Sequence, residues 1–272
     1  MFATVDNQPV LDLFFGAVMR SQGSALLLDY DGTLAPFSVD RGQAFPYAGV
    51  TRVLADIMRT GYTRVAIITG RDAREVVSLL GIEPAPEIWG AHGLQRLGPD
   101  GGHYIPQLDQ DVLQALWDAQ TWLSNHSLAD LAEVKPGGIA IHWRGMAKLQ
   151  IEEIRNQVLL GWFPIAQRSF MSVLEFDGGL EMRARECDKG DAVQAIISEL
   201  QKDAPIAYLG DDNTDERAFR ALGERGLSVL VRPVRRKTSA KLWLKPPEEL
   251  LDFLSRWNRA CRKRKTGSLD GR

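Results

Sequence analysis

Five short apolar runs most constrain what this chain can fold into: Ser24 to Asp29, Arg64 to Thr69, Glu87 to Trp89, Pro205 to Leu209 and Leu227 to Val231. Unbroken Leu/Ile/Val segments of this length suit strands buried on both faces of a parallel sheet. Segments with helical spacing stand between them: Ala48 to Thr60, Ala73 to Leu80, Gly190 to Gln201, Asp215 to Leu222 and Glu248 to Arg259. Strands alternating with helices imply an α/β sheet with right-handed crossovers. Val10 to Met19 reads as a further helix; Asp12 interrupts it and no basic region precedes it, so it does not read as a signal peptide.

The middle of the chain breaks the alternation. Gln107 to His126 has helical spacing, Val134 to Arg144 alternates like an antiparallel strand with Gly137-Gly138 in or near a turn, and Lys148 to Leu160 is helical again. Ser172 to Arg183 resembles two strands around Asp177-Gly178-Gly179, a hairpin signal. The expected fold is therefore an α/β, Rossmann-like parallel-sheet core with an inserted smaller α+β cap domain. The expected division is residues 1–106 and 184–272 for the core and 107–183 for the cap.

Composition narrows the partners. Among 272 residues the formal net charge is −2, too small to draw the whole molecule to nucleic acid or a membrane. No apolar run is long enough to span a bilayer. Cys187 and Cys261 lie far apart without metal-type spacing and read as free thiols in a reducing cytosol. The basic tail, Arg262 to Arg272, reads as a disordered, solvated end. The expectation is a cytoplasmic protein with a small-molecule partner and its oligomeric state left open.

The chemistry concentrates where apolar runs end. Leu26-Leu27-Leu28-Asp29-Tyr30-Asp31-Gly32 brings two carboxylates, two residues apart, to the carboxyl end of a strand, where open α/β sheets bind ligands. Asp29 and Asp31 could address one substrate atom or one metal ion; Gly32 permits the tight turn that follows. An Asp-Gly turn alone carries no chemistry, but three further elements follow in order. Thr69, in Ile68-Thr69-Gly70-Arg71, offers a hydroxyl to a phosphate oxygen beside a helix start. Lys189, in Asp188-Lys189-Gly190, supplies a compact positive charge that can hold phosphate against a nearby aspartate. Gly210-Asp211-Asp212-Asn213-Thr214-Asp215-Glu216 clusters hard oxygen ligands of the kind magnesium takes.

In this order the four elements resemble the signature of the haloacid dehalogenase superfamily of phosphotransferases. The resemblance extends to the trehalose-6-phosphate phosphatase family. The acidic run matches its Gly-Asp-Asp-x-Thr-Asp-Glu form, and Gly90-Ala91-His92-Gly93 resembles its Gly-x-His-Gly. Glu133-x-Lys135 followed by His142-Trp143-Arg144 resembles its cap run, and Leu180-Glu181-Met182-Arg183 its Leu-Glu-Ile-Arg. The similarity runs from about Ala25 to Asp215; Ala184-Arg185-Glu186-Cys187 departs from a pattern that often has Pro here.

The resemblance implies a magnesium-dependent hydrolysis of trehalose 6-phosphate. Asp29 is the expected nucleophile and Asp31 the acid and base; Thr69 and Lys189 would hold phosphate, with Gly32, Arg71 and His92 on the substrate. Asp29, Asp31 (through its backbone carbonyl), Asp211 and Asp215 would hold magnesium. Glu133, Lys135, His142, Arg144, Glu181 and Arg183 would read the sugar. Phosphatases for sucrose phosphate or a glycosyl phosphoglycerate, and sugar phosphomutases, share the core chemistry and stand as alternatives.

Overall fold

The structure is a computed structural model and describes residues 8–169, 171–176, 178–184 and 188–267. Asp177, Cys187 and residues 268–272 lie outside the described residues, and with them the apex of the expected hairpin, one of the two thiols and the last part of the tail.

The larger sheet is built from β1 (Ser24–Leu28), β2 (Thr63–Ile68), β3 (Glu87–Gly90), β4 (Gln95–Leu97) and β5 (His103–Tyr104), and, after a second block, from β10 (Ile206–Gly210), β11 (Leu227–Val231) and β12 (Leu242–Leu244). Its order is β12-β11-β10-β1-β2-β3-β4-β5, so β1 lies near the middle. From β12 to β3 all neighbours are parallel; β4 and β5 join antiparallel at one edge.

The continuous apolar runs follow from burial on both faces. Leu26 and Leu28 enter one core, packed under α1 (Gln8–Arg20), α2 (Val50–Arg59), α3 (Ala73–Leu80) and α8 (Glu248–Gly267). Ala25 and Leu27 enter the opposite core, under α6 (Lys189–Glu199) and α7 (Asp215–Leu222).

Trp257 of α8 anchors the first core. It is fully buried, stands 5.5 Å from the Phe14 ring and 6.1 Å from Phe253, and donates its indole N–H to Thr63 Oγ1 at 2.9 Å. Trp257→Ala should cost about 3–5 kcal/mol, because a large cavity opens beneath two helices. Denaturant unfolding measures it: the midpoint should fall with the slope unchanged, and a loss under about 1 kcal/mol would mean that the core collapses around the gap.

Between β5 and α6 lie α4 (Gln110–Asn125), β6 (Ala132–Lys135), β7 (Gly138–His142), α5 (Lys148–Arg168), β8 (Met171–Phe176) and β9 (Gly179–Ala184). Their four strands form a separate antiparallel sheet, ordered β6-β7-β9-β8. This small sheet has its own core of Ile139, Ile141 and Met182 under Ala119, Leu123 and Trp162 from the two helices.

Several sequence expectations need correction. Val134 to Arg144 is not one strand but β6 and β7, paired antiparallel around a turn with Gly137 at φ 69°. The helix expected to stop at Leu160 continues to Arg168 through Pro164, because burial of Trp162 and Ile165 outweighs one lost backbone bond. The tail is helical as far as Gly267: Arg264 lies 4.2 Å over the Tyr62 ring and bonds Gln22. Cys261 is a buried free thiol beside Thr63. Among the described residues no helix is long and apolar enough to cross a membrane.

Candidate active site

Adjacent strands β10, β1 and β2 end at one edge of the sheet and set Asp211, Asp29 and Thr69 side by side. Asp215 opens α7 just behind Asp211, and Lys189 opens α6. Carboxylate oxygens of Asp29, Asp211 and Asp215 lie within 4.8 Å of one another, and all three residues are buried. Lys189 Nζ donates to Asp29 Oδ1 at 2.5 Å and to Asp215 Oδ1 at 2.7 Å. Thr33 Oγ1 donates to the other Asp29 oxygen at 3.2 Å. Asp215 accepts from the Tyr208 hydroxyl at 2.6 Å and from the Asp211 and Asp212 N–H groups, so it braces the acidic loop.

The charges do not balance. Burial, then repulsion from Asp215, pushes the Asp29 carboxyl up to about 7 against the pull of Lys189. Burial, then repulsion from Asp29 and Asp215, pushes Asp211 well above the usual carboxylate range. Burial alone would depress Lys189, but Asp215 and Asp29 hold it well above an ordinary lysine. Three buried carboxylates sharing one ammonium, with only oxygen donors, fit a hard divalent cation. Gly32, at φ 81°, makes the crowding possible: a Cβ there would stand 2.2 Å from Asp211 Oδ2. Its N–H bonds the Ala35 carbonyl within the turn at 2.8 Å.

Asp31 is not part of this triad but lines the same cleft as Asp29 and Asp211. Arg71 grips both of its oxygens, Nε to Oδ2 and Nη2 to Oδ1, each at 2.7 Å. Arg71 Nη1 bonds the Arg41 carbonyl at 2.9 Å and pairs with Glu75, and Arg71 itself lines the cleft. Thr69 Oγ1 accepts from the Arg71 N–H at 3.2 Å and keeps its own proton to donate.

Above these groups the cleft opens, about 720 Å³ counted out into the open solvent at its mouth, and roofed by the small sheet. Glu181 of β9 is its buried hub: Oε2 lies 2.8 Å from His92 Nε2 and Oε1 2.8 Å from Lys135 Nζ. Lys135 also bonds the Gly70 carbonyl at 2.9 Å, tying the small sheet to the large one. Burial drives His92 down to about 4, so its neutral imidazole donates to Glu181. A Cβ on Gly70 would stand 2.6 Å from that imidazole, so the loop needs glycine there. Burial alone would raise Glu133, yet His142, Lys135 and Arg41 hold it at about 2. Arg144 stacks 4.0 Å over the Phe37 ring.

Most residues singled out from the sequence therefore converge. Arg183 does not reach the main cleft; it stands behind Glu181, 3.9 Å away, in a small separate cavity. Glu133 and Asp215 lie just outside the cleft lining, behind His142 and Lys189 respectively. Sequence reasoning missed Phe37, Ser38, Arg41 and Phe176, which line the cleft. It also missed Arg236, which holds the acidic loop by the Asp211 and Asp212 carbonyls at 3.1 and 2.6 Å and by the Glu216 carboxylate. The run Arg235-Arg236-Lys237 soon after a strand was the available signal for Arg236. Nothing in the local pattern marks the other four.

The sequence model of the trehalose-phosphatase family matches residues 27–154 and 165–248, which include Asp29, Thr69, Lys189, Asp211 and Asp215. The chain belongs to the trehalose-phosphatase family. Within it, a trehalose-phosphate phosphatase of Mycobacterium marinum is 32% identical over 245 residues, covering 85% of this chain and 60% of that protein. The chain thus spans about 60% of the length of that relative. In fold, the C-terminal domain of the Candida albicans trehalose-6-phosphate phosphatase superposes with a TM-score of 0.76 at 21% identity, covering 92% of this chain and 96% of that one. A haloacid dehalogenase-like hydrolase of Bacillus subtilis superposes with a TM-score of 0.61 at 16% identity, covering 85% and 99%. These likenesses agree with the expected α/β core and its second, antiparallel sheet; the antiparallel edge strands β4 and β5, which make the larger sheet mixed, were not expected.

Proposed function

We propose that this chain hydrolyses trehalose 6-phosphate to trehalose and phosphate, with Asp29 as the nucleophile and magnesium as the cofactor. One observation carries the reading. A single cleft holds an anion-directed set (Asp29, Thr69 and Lys189) and, facing it, the hydrogen-bonding set Lys135, His142, Arg144 and Glu181. The first suits a phosphate, the second a ring of sugar hydroxyls. Family membership favours trehalose as that sugar.

The division of the chain into a core, residues 1–106 and 184–272, and a cap, residues 107–183, is part of this proposal. The separate sheet and separate core of the second block support it.

In the proposed mechanism Asp29 forms a bond to phosphorus as the bond to the sugar oxygen breaks, leaving an aspartyl phosphate. Asp31 delivers a proton to the departing oxygen, for which one of its bonds to Arg71 must give way. Asp31 then takes a proton from the water that attacks phosphorus, and phosphate leaves Asp29. Lys189 and the Thr69 hydroxyl hold the phosphoryl oxygens. The Asp29, Asp211 and Asp215 carboxylates and the Asp31 carbonyl would hold magnesium. When bound, the ion neutralises charge on the transferring group.

A panel of sugar phosphates with released phosphate as the readout tests the assignment. Trehalose 6-phosphate should give the highest kcat/KM. Faster release from sucrose phosphate or another sugar phosphate would transfer the assignment to that sugar. Arg144→Ala should lower kcat/KM for the natural substrate roughly ten- to hundredfold more than for a small aryl phosphate, which does not reach the cap. Equal losses on both substrates would remove Arg144 from sugar recognition.

A further inference from the structure

We propose that Arg41 is a latch between core and cap, a positioning residue that ties closure on the sugar to the placement of Asp31. This rests on the reading that the cleft takes a sugar phosphate. Arg41 opens a short turn, Arg41–Gln43, in the connection from β1 to α2. That turn is fixed on both sides: Asp40 accepts from the Gly42 N–H at 3.0 Å, and the buried Tyr30 hydroxyl donates to the Ala44 carbonyl at 2.9 Å. The segment is therefore a rigid mount and not a loose loop.

From this mount Arg41 faces two ways. Its guanidinium crosses the cleft and pairs with Glu133 of β6, while Nη1 lies 3.1 Å from His142 Nε2 of β7. Its carbonyl points back and accepts from Arg71 Nη1, on the same guanidinium that grips both oxygens of Asp31. One residue thus joins the sugar-facing edge of the cap to the proton-transferring group of the core in three links. Lys135 to Gly70 is a second strap across the cleft, but it ends on a backbone carbonyl and does not lead to Asp31. His142 Nε2 stands 2.9 Å from Glu133, so it can donate to Glu133 or accept from Arg41, one at a time. A sugar hydroxyl competing for His142, which lines the cleft, would redistribute those bonds at the latch itself.

The test combines kinetics with a distance. Arg41→Ala, Glu133→Gln and the double variant are assayed on whichever sugar phosphate the panel identifies and on p-nitrophenyl phosphate. The ratio of kcat/KM for sugar over aryl phosphate should fall roughly ten- to hundredfold in Arg41→Ala. The double variant should lose no more than the worse single, since both break one contact. Arg41→Lys, which keeps the charge, should recover part of the loss. Independently, spin labels at exposed Glu83 of the core and Asp130 of the cap, in a Cys187→Ser background, report closure. Arg41→Ala should shift that distance to longer values. Additive losses in the cycle, or an unchanged distance in a folded Arg41→Ala protein, would overturn the latch. If wild type hydrolyses no sugar phosphate, the functional reading fails while the distance still decides the latch.

Discussion

Asp29→Asn is expected to reduce turnover by on the order of 10⁴- to 10⁶-fold, the scale seen when an enzyme loses its nucleophile or a triad partner. The amide keeps the carboxylate's shape and can still accept from Lys189, so the cleft should stay intact. It has no charge to attack phosphorus. Burial and Asp215 already disfavour the ionised side chain, so the neutral amide should leave the melting temperature at or above wild type in metal-free buffer. Phosphate release and thermal unfolding on the same preparation check both halves. Turnover within tenfold of wild type would remove Asp29 from the nucleophile role; a collapsed melting temperature would show that the site is also structural.

Removing the metal should have the next largest effect. Excess chelator is expected to lower activity at least about 10²- to 10³-fold, and added magnesium should restore it. Without the ion, three buried carboxylates face one lysine, an arrangement that repels an incoming phosphate. Binding can be followed without turnover: magnesium at about a hundred times its dissociation constant should stabilise the fold by roughly 2.7 kcal/mol. Asp211→Ala should abolish that stabilisation as well as activity. Full activity in chelated buffer, or an unchanged magnesium shift in Asp211→Ala, would sink the proposed ligand set.

What the sequence makes legible follows the range of the forces involved. Leu26 to Leu28 and Ile67 to Ile68 are readable because burial on both sheet faces writes itself as an unbroken apolar run. Asp29, Thr69, Lys189 and Asp211 are readable because each sits at the end of such a run or the start of a helix. The three-residue β4 and β12 carry too few residues for any period to show. The second half of α5 was hidden by Gly161 and Pro164; tertiary packing, with Trp122 against Gly161, holds it together. Arg41 lies in an irregular segment and finds Glu133 some ninety positions later, a pairing that only the folded chain creates.

The bond pattern at Asp188 has a mechanical consequence. Asp188 is where the polypeptide returns from the small sheet, one residue before the lysine that touches Asp29. Its carboxylate takes the Gly190 N–H at 2.7 Å and the Arg217 guanidinium at 2.5 Å, and its own N–H reaches Asp191 at 2.9 Å. Asp188 therefore ties the start of α6 to α7, so a pull arriving along the chain would be shared by both helices before it reached Lys189. On the proposed function, any rocking of the small sheet would then leave the Lys189–Asp29 contact in place.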